Sequence, residues 1–299
     1  MFSKKYFIIG ILFGLILLGG YLFSLPDGLL HIVFCNVGQG DGAYIRTPEN
    51  LDMVIDGGPN DSILLCLGKH MPFYDRTIDI VLLTHPQKDH LQGLISLIKR
   101  YSVKYFISGL EENDTEGYRM LIEELSRQQI PLKNLFAGDH FELGSVEFTV
   151  VWPEKNWVFS HVDLADYPNS LISGAILGLS TETDINDFSY YINLSYGSFH
   201  TLFTGDGDIR IQPDILRLGL LQPVTVLKVP HHGSKTGMSR EFLDFIRPEL
   251  AVISVGKNSY GHPSKEAIDL LRNRSIQLRR TDVDGDIEVV SDGKSWQVK

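Results

Sequence analysis

An unbroken apolar run followed at once by a polar cluster restricts the possible folds of this chain more than any other segment. The run is Ile80-Val81-Leu82-Leu83, and the cluster is Thr84-His85-Pro86-Gln87-Lys88-Asp89-His90. A strand that is apolar throughout is buried on both faces, so the cluster is predicted to open at the edge of a sheet. Two imidazoles and a carboxylate at this density suit a divalent ion such as Zn²⁺ or Mn²⁺. The alternative is a helix cap with two incidental histidines.

Composition and charge limit the functional classes. The chain has 299 residues, of which 43% are hydrophobic and 21% charged, so it is long enough for one large globular domain or two small ones. A net charge of -10 argues against a protein held on nucleic acid by bulk positive charge. A nuclease with a local basic rim stays possible, because metal ions supply positive charge at the site itself.

The two cysteines are too few for a disulfide framework. Cys35 lies in an apolar strand, and Cys66 lies in a predicted helix. We therefore expect two buried free thiols, with a single disulfide as the alternative.

The N-terminus predicts a membrane anchor over residues 1–24. Lys4-Lys5 precede eighteen uncharged residues, Tyr6 to Phe23, and a helix of that length reaches about 27 Å, enough for a bilayer core. Short basic flanks stay cytoplasmic, which places the chain from Ser24 onward outside the cell. A cleaved signal peptide fits the same charge order, but we favour an uncleaved, single-pass anchor in the cell membrane.

The body of the chain reads as an α/β domain. Strands are predicted over 31–37, 43–46 and 53–56, with glycine turns between them. Helices with apolar periodicity follow at 91–101 and 116–129, separated by a strand at 103–107, and 141–152 reads as a hairpin around Gly144. Residues 153–185 are predicted to be an irregular surface excursion beside a cleft, with His161 as a surface residue.

Three more polar clusters follow apolar strands in the second half. A strand pair over 186–203 delivers Thr204-Gly205-Asp206, and Val224 to Pro230 leads into His231-His232-Gly233-Ser234-Lys235. The third, Gly256-Lys-Asn-Ser-Tyr-Gly-His262-Pro263, follows the strand 250–255. Adjacent histidines after a buried strand are rare as structural filler, because one of them must face the interior and needs a partner.

These motifs resemble a known family. His-x-x-x-Asp-His is similar to the first signature of the metallo-β-lactamase superfamily, His-x-His-x-Asp-His. The segments VGQGD, IDGGP, LKVPHHGSKT and ISVG-x-N-x-YGHP look like the hydrolase domain of ComEC, the membrane channel of bacterial DNA uptake. The resemblance covers about residues 29–298 and implies an αββα sandwich of the metallo-β-lactamase type, preceded here by one transmembrane helix.

The resemblance also implies a metal site for one or two divalent ions, Zn²⁺ or Mn²⁺. Asp89, His90, Asp206 and one of His231 and His232 would hold the tighter ion. His85 with Asp206 would hold a weaker second ion. Asp56 would lie behind the metal and orient a ligand histidine.

Two positions depart from the superfamily pattern. Gln87 replaces the second histidine of the signature, and Asn186 stands nearest to the histidine expected ahead of the bridging aspartate. Amide oxygens suit Mn²⁺ or Mg²⁺ better than Zn²⁺. Gln87 is therefore either an extra ligand of the weaker ion or a residue behind it, and Asn186 is a candidate substrate contact.

Further roles follow from the same resemblance. Gln39 and Asp41 would line the mouth of the cleft, and Asp89 would orient the attacking water as well as bind metal. His262, with Ser234 and Lys235, is the candidate for holding a phosphate or protonating the leaving group. The alternative for His262 is a loop histidine held by Tyr260 and Pro263. Lys228 could supply positive charge at the weaker subsite, where the two histidines of the superfamily pattern are missing.

The predicted function is a metal-dependent hydrolase, and most specifically a phosphodiesterase or nuclease of extracellular DNA. A divalent ion lowers the pKa of bound water and makes hydroxide available as the nucleophile, and two ions would also stabilise the leaving oxygen. The expected partners are DNA or another phosphodiester, the membrane, and a separate competence channel protein. Alternatives are hydrolysis of a small ester, thioester or surface phosphoester, or a DNA-uptake module without turnover.

Overall fold

The computed structural model describes residues 25–164 and 177–299, the backbone of 171–172 and 175–176, and isolated helical positions between residues 6 and 19. Much of the predicted N-terminal anchor lies outside the described residues, so the anchor stays a prediction. Within the part that is described, no helix is both long enough and apolar enough to cross a lipid bilayer.

The first sheet has eight strands in the order β17-β16-β1-β2-β3-β4-β5-β6. Strand β4 carries the apolar run and is buried along almost its whole length, between parallel neighbours β3 and β5. Parallel strands end at the same edge, so the loops after β3 and β4 meet there. The strands are β1 (Leu30–Phe34), β2 (Gly42–Arg46), β3 (Asp52–Gly57), β4 (Thr77–Leu82), β5 (Ser102–Ile107), β6 (Leu132–Lys133), β16 (Ile287–Ser291) and β17 (Trp296–Val298).

The second sheet has seven strands in the order β15-β14-β13-β12-β11-β8-β7. Strands β12, β13, β14 and β15 are parallel neighbours, so the loops after them also open at one edge. The strands are β7 (His140–Leu143), β8 (Val146–Trp152), β11 (Tyr191–Tyr196), β12 (Phe199–Phe203), β13 (Val226–Lys228), β14 (Leu250–Ile253) and β15 (Gln277–Arg280).

Helices cover the outer faces of both sheets, and three large apolar cores separate the four layers. They are α1 (Ser62–His70), α2 (Lys88–Arg100), α3 (Glu116–Arg127), α4 (Lys155–His161), α5 (Gln212–Leu218), α6 (Arg240–Ile246), α7 (Lys265–Arg272) and the one-turn α8 (Thr281–Asp284). One core lies between helices and the first sheet, one between the two sheets, and one between the second sheet and its helices. The first core includes Leu94 and Val54, the second Ile45 and Phe148, and the third Phe242 and Leu227. The predicted αββα layering is confirmed.

The prediction of free thiols was wrong, because Cys35 and Cys66 form a disulfide. Cys35 follows β1 and Cys66 lies on the buried face of α1, which packs on that sheet. Their Cα atoms are 5.8 Å apart, within the usual range for a disulfide. The alternative of a single disulfide is therefore the correct one.

The prediction of an irregular segment over 153–185 was partly wrong. Helix α4 begins at Lys155, a two-stranded ribbon joins β9 (Leu171–Ile172) to β10 (Ala175–Ile176), and a 3₁₀ turn spans Ile185–Phe188. The ring of His161, the last residue of α4, stacks on Trp157 in the same helix, with centroids 4.2 Å apart.

Candidate metal centre

The first half of the site lies where β3 and β4 end. His85 follows β4, and Asp89 and His90 lie in the first turn of α2. Asp56, near the end of β3, accepts hydrogen bonds from the Thr84 amide and hydroxyl, and its Oδ2 lies 2.8 Å from His90 Nδ1. Asp56 is therefore placed to fix the His90 ring so that Nε2 faces the cavity.

The second half of the site comes from the loop after β12. Asp206 is 1% exposed, and its amide donates to the Ser189 hydroxyl. The preceding Gly205 has φ 50°, and a Cβ there would lie 2.9 Å from the Thr84 side chain. Glycine thus allows the two sheets' loops to approach closely enough for Asp206 to reach His90.

The adjacent histidines after β13 take different positions. His232 is buried, and its Nδ1 lies 2.9 Å from the Ser254 carbonyl, so Nδ1 donates there and Nε2 is left for the site. His231 is partly exposed, and its Nε2 is 3.9 Å from Asp206 Oδ2. The sequence left open whether His231 or His232 is the metal ligand. His232 is the one that converges with the acidic side chains.

Four side chains converge at this point with ligand atoms within 4.8 Å of one another: Asp89, His90, Asp206 and His232. His90 Nε2 lies 3.3 Å from Asp206 Oδ1, and His232 Nε2 lies 3.2 Å from Asp206 Oδ2 and 3.4 Å from Asp89 Oδ2. His90 Nε2, His232 Nε2 and Asp206 Oδ1 are buried and have no hydrogen-bond partner among the described residues. Two imidazole nitrogens and two carboxylates form a donor set that fits Zn²⁺ or Mn²⁺.

The charges in this cluster attract one another strongly. Burial lowers the pKa of His90, but the Asp206 and Asp56 carboxylates outweigh burial and hold it well above its usual value. The pKa of His232 is likewise raised by Asp206 and Asp41 against the effect of burial. Burial raises the pKa of Asp206, yet the two histidines bring it well below its usual value. The carboxylates thus favour positive charge between them, which a cation would supply in place of protons on the imidazoles.

A second, thinner subsite adjoins the first. The His85 ring centroid lies 4.2 Å from that of His90, and His85 Nε2 is buried without a hydrogen-bond partner in the described structure. Burial and the neighbouring His90 lower the pKa of His85 to about 3, so this imidazole is neutral at pH 7. Gln87 and Asn186 line the cavity above the metal cluster, and Asn186 Oδ1 is buried without a partner among the described residues.

Asp41 and Lys228 lie deeper than the sequence predicted. They form an ion pair and are only 4% and 3% exposed. Asp41 Oδ1 also lies 3.2 Å from His232 Nδ1, and Lys228 Nζ donates to the Gly205 carbonyl at 2.9 Å. Asp41 is therefore behind the ligand histidines instead of at the cleft mouth, because its loop turns inward after β1. Lys228 balances the Asp41 charge and has no open path to substrate.

An open cavity of about 860 Å³ lies above the cluster. The lining includes five predicted residues outside the metal cluster, Gln39, Gln87, Asn186, His231 and His262. It also includes residues that sequence reasoning missed: Pro59, Lys88, Asn258, Ser259 and Tyr260. Each of these residues lies inside one of the motifs described above. Its place in that motif was the available indication in the sequence that it would line the cavity. Lys257 also lines the cavity.

Ser234 and Lys235 are not among the described residues that line this cavity, so their substrate role stays a prediction without support from the cavity. The Ser234 hydroxyl pairs with Thr236 in its own turn, and the exposed Lys235 side chain pairs with Glu266 at 3.5 Å. The turn after His232 carries both residues away from the cluster.

His262 reaches the cavity on a loop held by Asn258, which hydrogen-bonds the His262 amide and carbonyl. Burial, His231 and His232 lower the pKa of His262, and its Nδ1 is buried without a partner in the described structure. A neutral imidazole with a free ring nitrogen is thus available at the cavity wall.

A further group with metal-like spacing lies elsewhere, at Cys66, His70 and Asp286. Cys66 is in the disulfide, and Asp286 Oδ2 lies 3.3 Å from His70 Nε2 and 2.9 Å from Lys69 Nζ. Asp286 Oδ1 accepts from the Asn36 amide. Every member of this group therefore already has a partner.

Comparisons with known proteins agree with this geometry. The sequence profile of the Metallo-beta-lactamase superfamily matches residues 37–257. ComE operon protein 3 of Bacillus subtilis is 26% identical over 271 residues, which cover 85% of this chain and 32% of that protein. Recombination protein 2 of Haemophilus influenzae is 24% identical over 223 residues, covering 73% of this chain and 23% of that protein. The chain spans about a third or less of the length of these relatives, which are ComEC-like competence proteins.

A solved structure shows the same fold. The metallo-beta-lactamase fold protein YhfI from Bacillus subtilis superposes with a TM-score of 0.54 at 11% identity, over 88% of this chain and 99% of that chain. At that identity the likeness concerns the fold alone. With a profile match over most of its length, this chain belongs to the metallo-beta-lactamase superfamily, whose members are generally metal-dependent hydrolases, and it is similar to the ComEC-like competence proteins.

Proposed function

We propose that this chain is a metal-dependent phosphodiesterase that cleaves DNA outside the cell. The observation that carries the proposal is the cluster of Asp89, His90, Asp206 and His232, with unpartnered buried ligand atoms, beneath an open cavity. Lys88 and Lys257 line that cavity and offer cationic contacts to phosphate. The name of one relative, Recombination protein 2, supports DNA as the substrate.

The chain's own residues divide the chemistry between them. When bound, a divalent ion lowers the pKa of a coordinated water and polarises a phosphoryl oxygen. Asp89 is the most exposed of the four cluster residues and would orient the water for attack on phosphorus. His262 would hold a phosphate oxygen or pass a proton to the leaving oxygen, because its neutral ring lies at the cavity wall. Asp56 and Asp41 would keep His90 and His232 aimed at the cavity.

The same proposal includes the membrane. Lys4-Lys5 and the uncharged residues 6–23 support a single-pass anchor that keeps the hydrolase domain on the extracellular side. There it would process DNA for a separate competence channel protein, since this chain matches about a third of the first relative. Protease added to intact cells should digest the domain, and the protein should stay with membranes after a carbonate wash. Full protection of the domain from protease would contradict this orientation.

The substrate test compares two lysines. Purified full-length protein in detergent with Mn²⁺ should cleave single-stranded or duplex DNA, and cleavage should weaken steeply as salt rises, because phosphate contacts release counterions. Lys257→Glu should raise the KM for DNA and flatten its salt dependence. Lys235→Glu makes the same charge change outside the cavity and should leave both unchanged.

Two outcomes would contradict the proposal. The first is a metal-loaded protein that hydrolyses a thioester or a small ester but no phosphodiester, which would move the assignment to those substrates. The second is a metal-loaded protein that binds DNA without cleaving it, which would make the chain a binding module.

A further inference from the structure

Tyr260 is a large aromatic side chain that stays exposed at the wall of the metal cavity. It is 75% exposed, and its ring centroid lies 5.8 Å from that of His262 at an angle of 33°. Both residues line the cavity above the metal cluster. An aromatic ring this open to solvent gains little from packing within its own chain, and at the wall of this cavity its face is free to contact a ligand.

The loop that carries Tyr260 is held in place by Asn258. The Asn258 amide group donates to the carbonyls of Gly256 and His262 at 2.9 and 2.8 Å. Its Oδ1 accepts from the amides of Tyr260 and His262 at 3.0 and 3.1 Å. Four hydrogen bonds from one side chain fix the turn, so Tyr260 is presented in a preorganised position.

The base of the loop is fixed against the Gln39 loop. The Gly256 amide donates to Gln39 Oε1 at 3.3 Å, and a Cβ at Gly256 would lie 2.4 Å from the Gly38 carbonyl carbon. The two loops thus touch backbone to backbone at the cavity wall. Tyr260 therefore keeps a defined position relative to the metal cluster.

Positive charge lines the same cavity as this ring. Lys257 is three residues before Tyr260, and Lys88 is next to the cluster residue Asp89; both lysines line the cavity. An exposed aromatic face with lysines nearby matches a nucleotide, whose base offers a π-face and whose phosphate offers negative charge. A small ester or thioester has neither a base to stack on the ring nor a phosphate to pair with the lysines.

We propose that Tyr260 is a stacking platform for a nucleobase adjacent to the cleaved phosphate, and that it makes the site selective for single-stranded nucleic acid. In a duplex both faces of a base are covered by its neighbours, so an unstacked base is needed to meet the ring. The inference rests on the proposed phosphodiesterase function and specifies which DNA the site takes.

The test uses the full-length, metal-loaded protein and a single-stranded oligonucleotide. Tyr260→Ala should raise the KM by about 5- to 160-fold, the range measured for removal of one base–aromatic stack. The kcat should change little, because Tyr260 is not among the cluster residues. Tyr260→Phe keeps the ring and should retain the wild-type KM. Phe73→Ala removes an aromatic residue that is 85% exposed and outside the cavity lining, and it should have no effect.

An abasic substrate separates stacking from general packing. Removing the base next to the cleavage position should raise the KM of the wild type as much as Tyr260→Ala does, and should not weaken the variant further. A 2-aminopurine at that position should be quenched on mixing with the wild type and not with Tyr260→Ala.

The outcomes distinguish the two proposals. If the wild type cleaves DNA while Tyr260→Ala has an unchanged KM and the abasic strand is cleaved equally well, stacking is refuted and the phosphodiesterase function stands. A wild type that cleaves no phosphodiester overturns both.

Discussion

Among the described residues, three groups of acidic, histidine and cysteine side chains have metal-like spacing. One of them, Asp41 with Asp56 and His90, shares His90 with the main cluster. The other two groups share no residue, and their hydrogen bonding differs. In the group at Asp206 and His232, buried ligand atoms have no hydrogen-bond partner among the described residues. In the group at His70 and Asp286, the same kinds of side chain pair with one another, with Lys69 and with a backbone amide. Cys66, the third member of that group, is in a disulfide.

The difference shows what distinguishes a candidate metal centre from a structural network. A buried polar atom without a partner is costly, so several such atoms aimed at one point are retained only if something else satisfies them. A group whose atoms are already paired gains little from an ion and must break existing contacts to bind one. Short distances between potential ligand side chains are therefore weaker evidence for a metal site than buried ligand atoms that lack a hydrogen-bond partner.

The largest expected effect comes from deleting one carboxylate in each group. Asp206→Ala should lose the bound divalent ion, measured by elemental analysis after dialysis, and hydrolysis should fall by roughly 10³-fold or more. Asp286→Ala should keep the metal content and activity of the wild type. If Asp286→Ala lost metal and Asp206→Ala kept it, the metal site would be the group at His70 and Asp286.

The next largest effect is expected on stability. It tests the structural role of the group at Cys66, His70 and Asp286. Replacing Cys35 and Cys66 together by Ala should lower the free energy of unfolding by about 3–4 kcal/mol, because the disulfide closes a 31-residue separation. Urea denaturation would measure this change. The metal content should stay at the wild-type value. A folded double variant that has lost metal would mean that the group at Cys66, His70 and Asp286 binds an ion.

The smallest effect tests the residues behind the ligands. Asp56→Asn should weaken metal affinity by about 10- to 100-fold, since Asp56 accepts a hydrogen bond from His90 Nδ1 and orients that ring. Asp52→Asn is the matched control, because Asp52 is a buried carboxylate on the same strand that pairs with Arg46. A competition titration should give an unchanged Kd for Asp52→Asn. Equal losses in both variants would point to general damage to β3.

Much of the architecture could be predicted because it depends on local patterns. The apolar run before His85 predicts a strand buried on both faces, and β4 is such a strand. The hairpin at Gly144 follows from a turn residue between alternating strands, and Gly144 has φ 63°. The failures were long-range contacts, namely the Cys35–Cys66 disulfide and the burial of Asp41 against Lys228.

Residue order alone was enough to predict the type of fold and the residue types of the candidate site. His85, Asp89, His90 and Asp206 follow apolar strands, and strands that run parallel in one sheet must end at one edge. Only the tertiary structure selected His232 over His231 and placed Tyr260 and Lys88 on the cavity wall while Lys235 turned away. Both histidines have positive φ, at 48° and 53°, so the chain reverses there and aims adjacent side chains apart. Where a side chain points after such a turn depends on backbone angles and packing partners distant in sequence, which residue order does not encode locally.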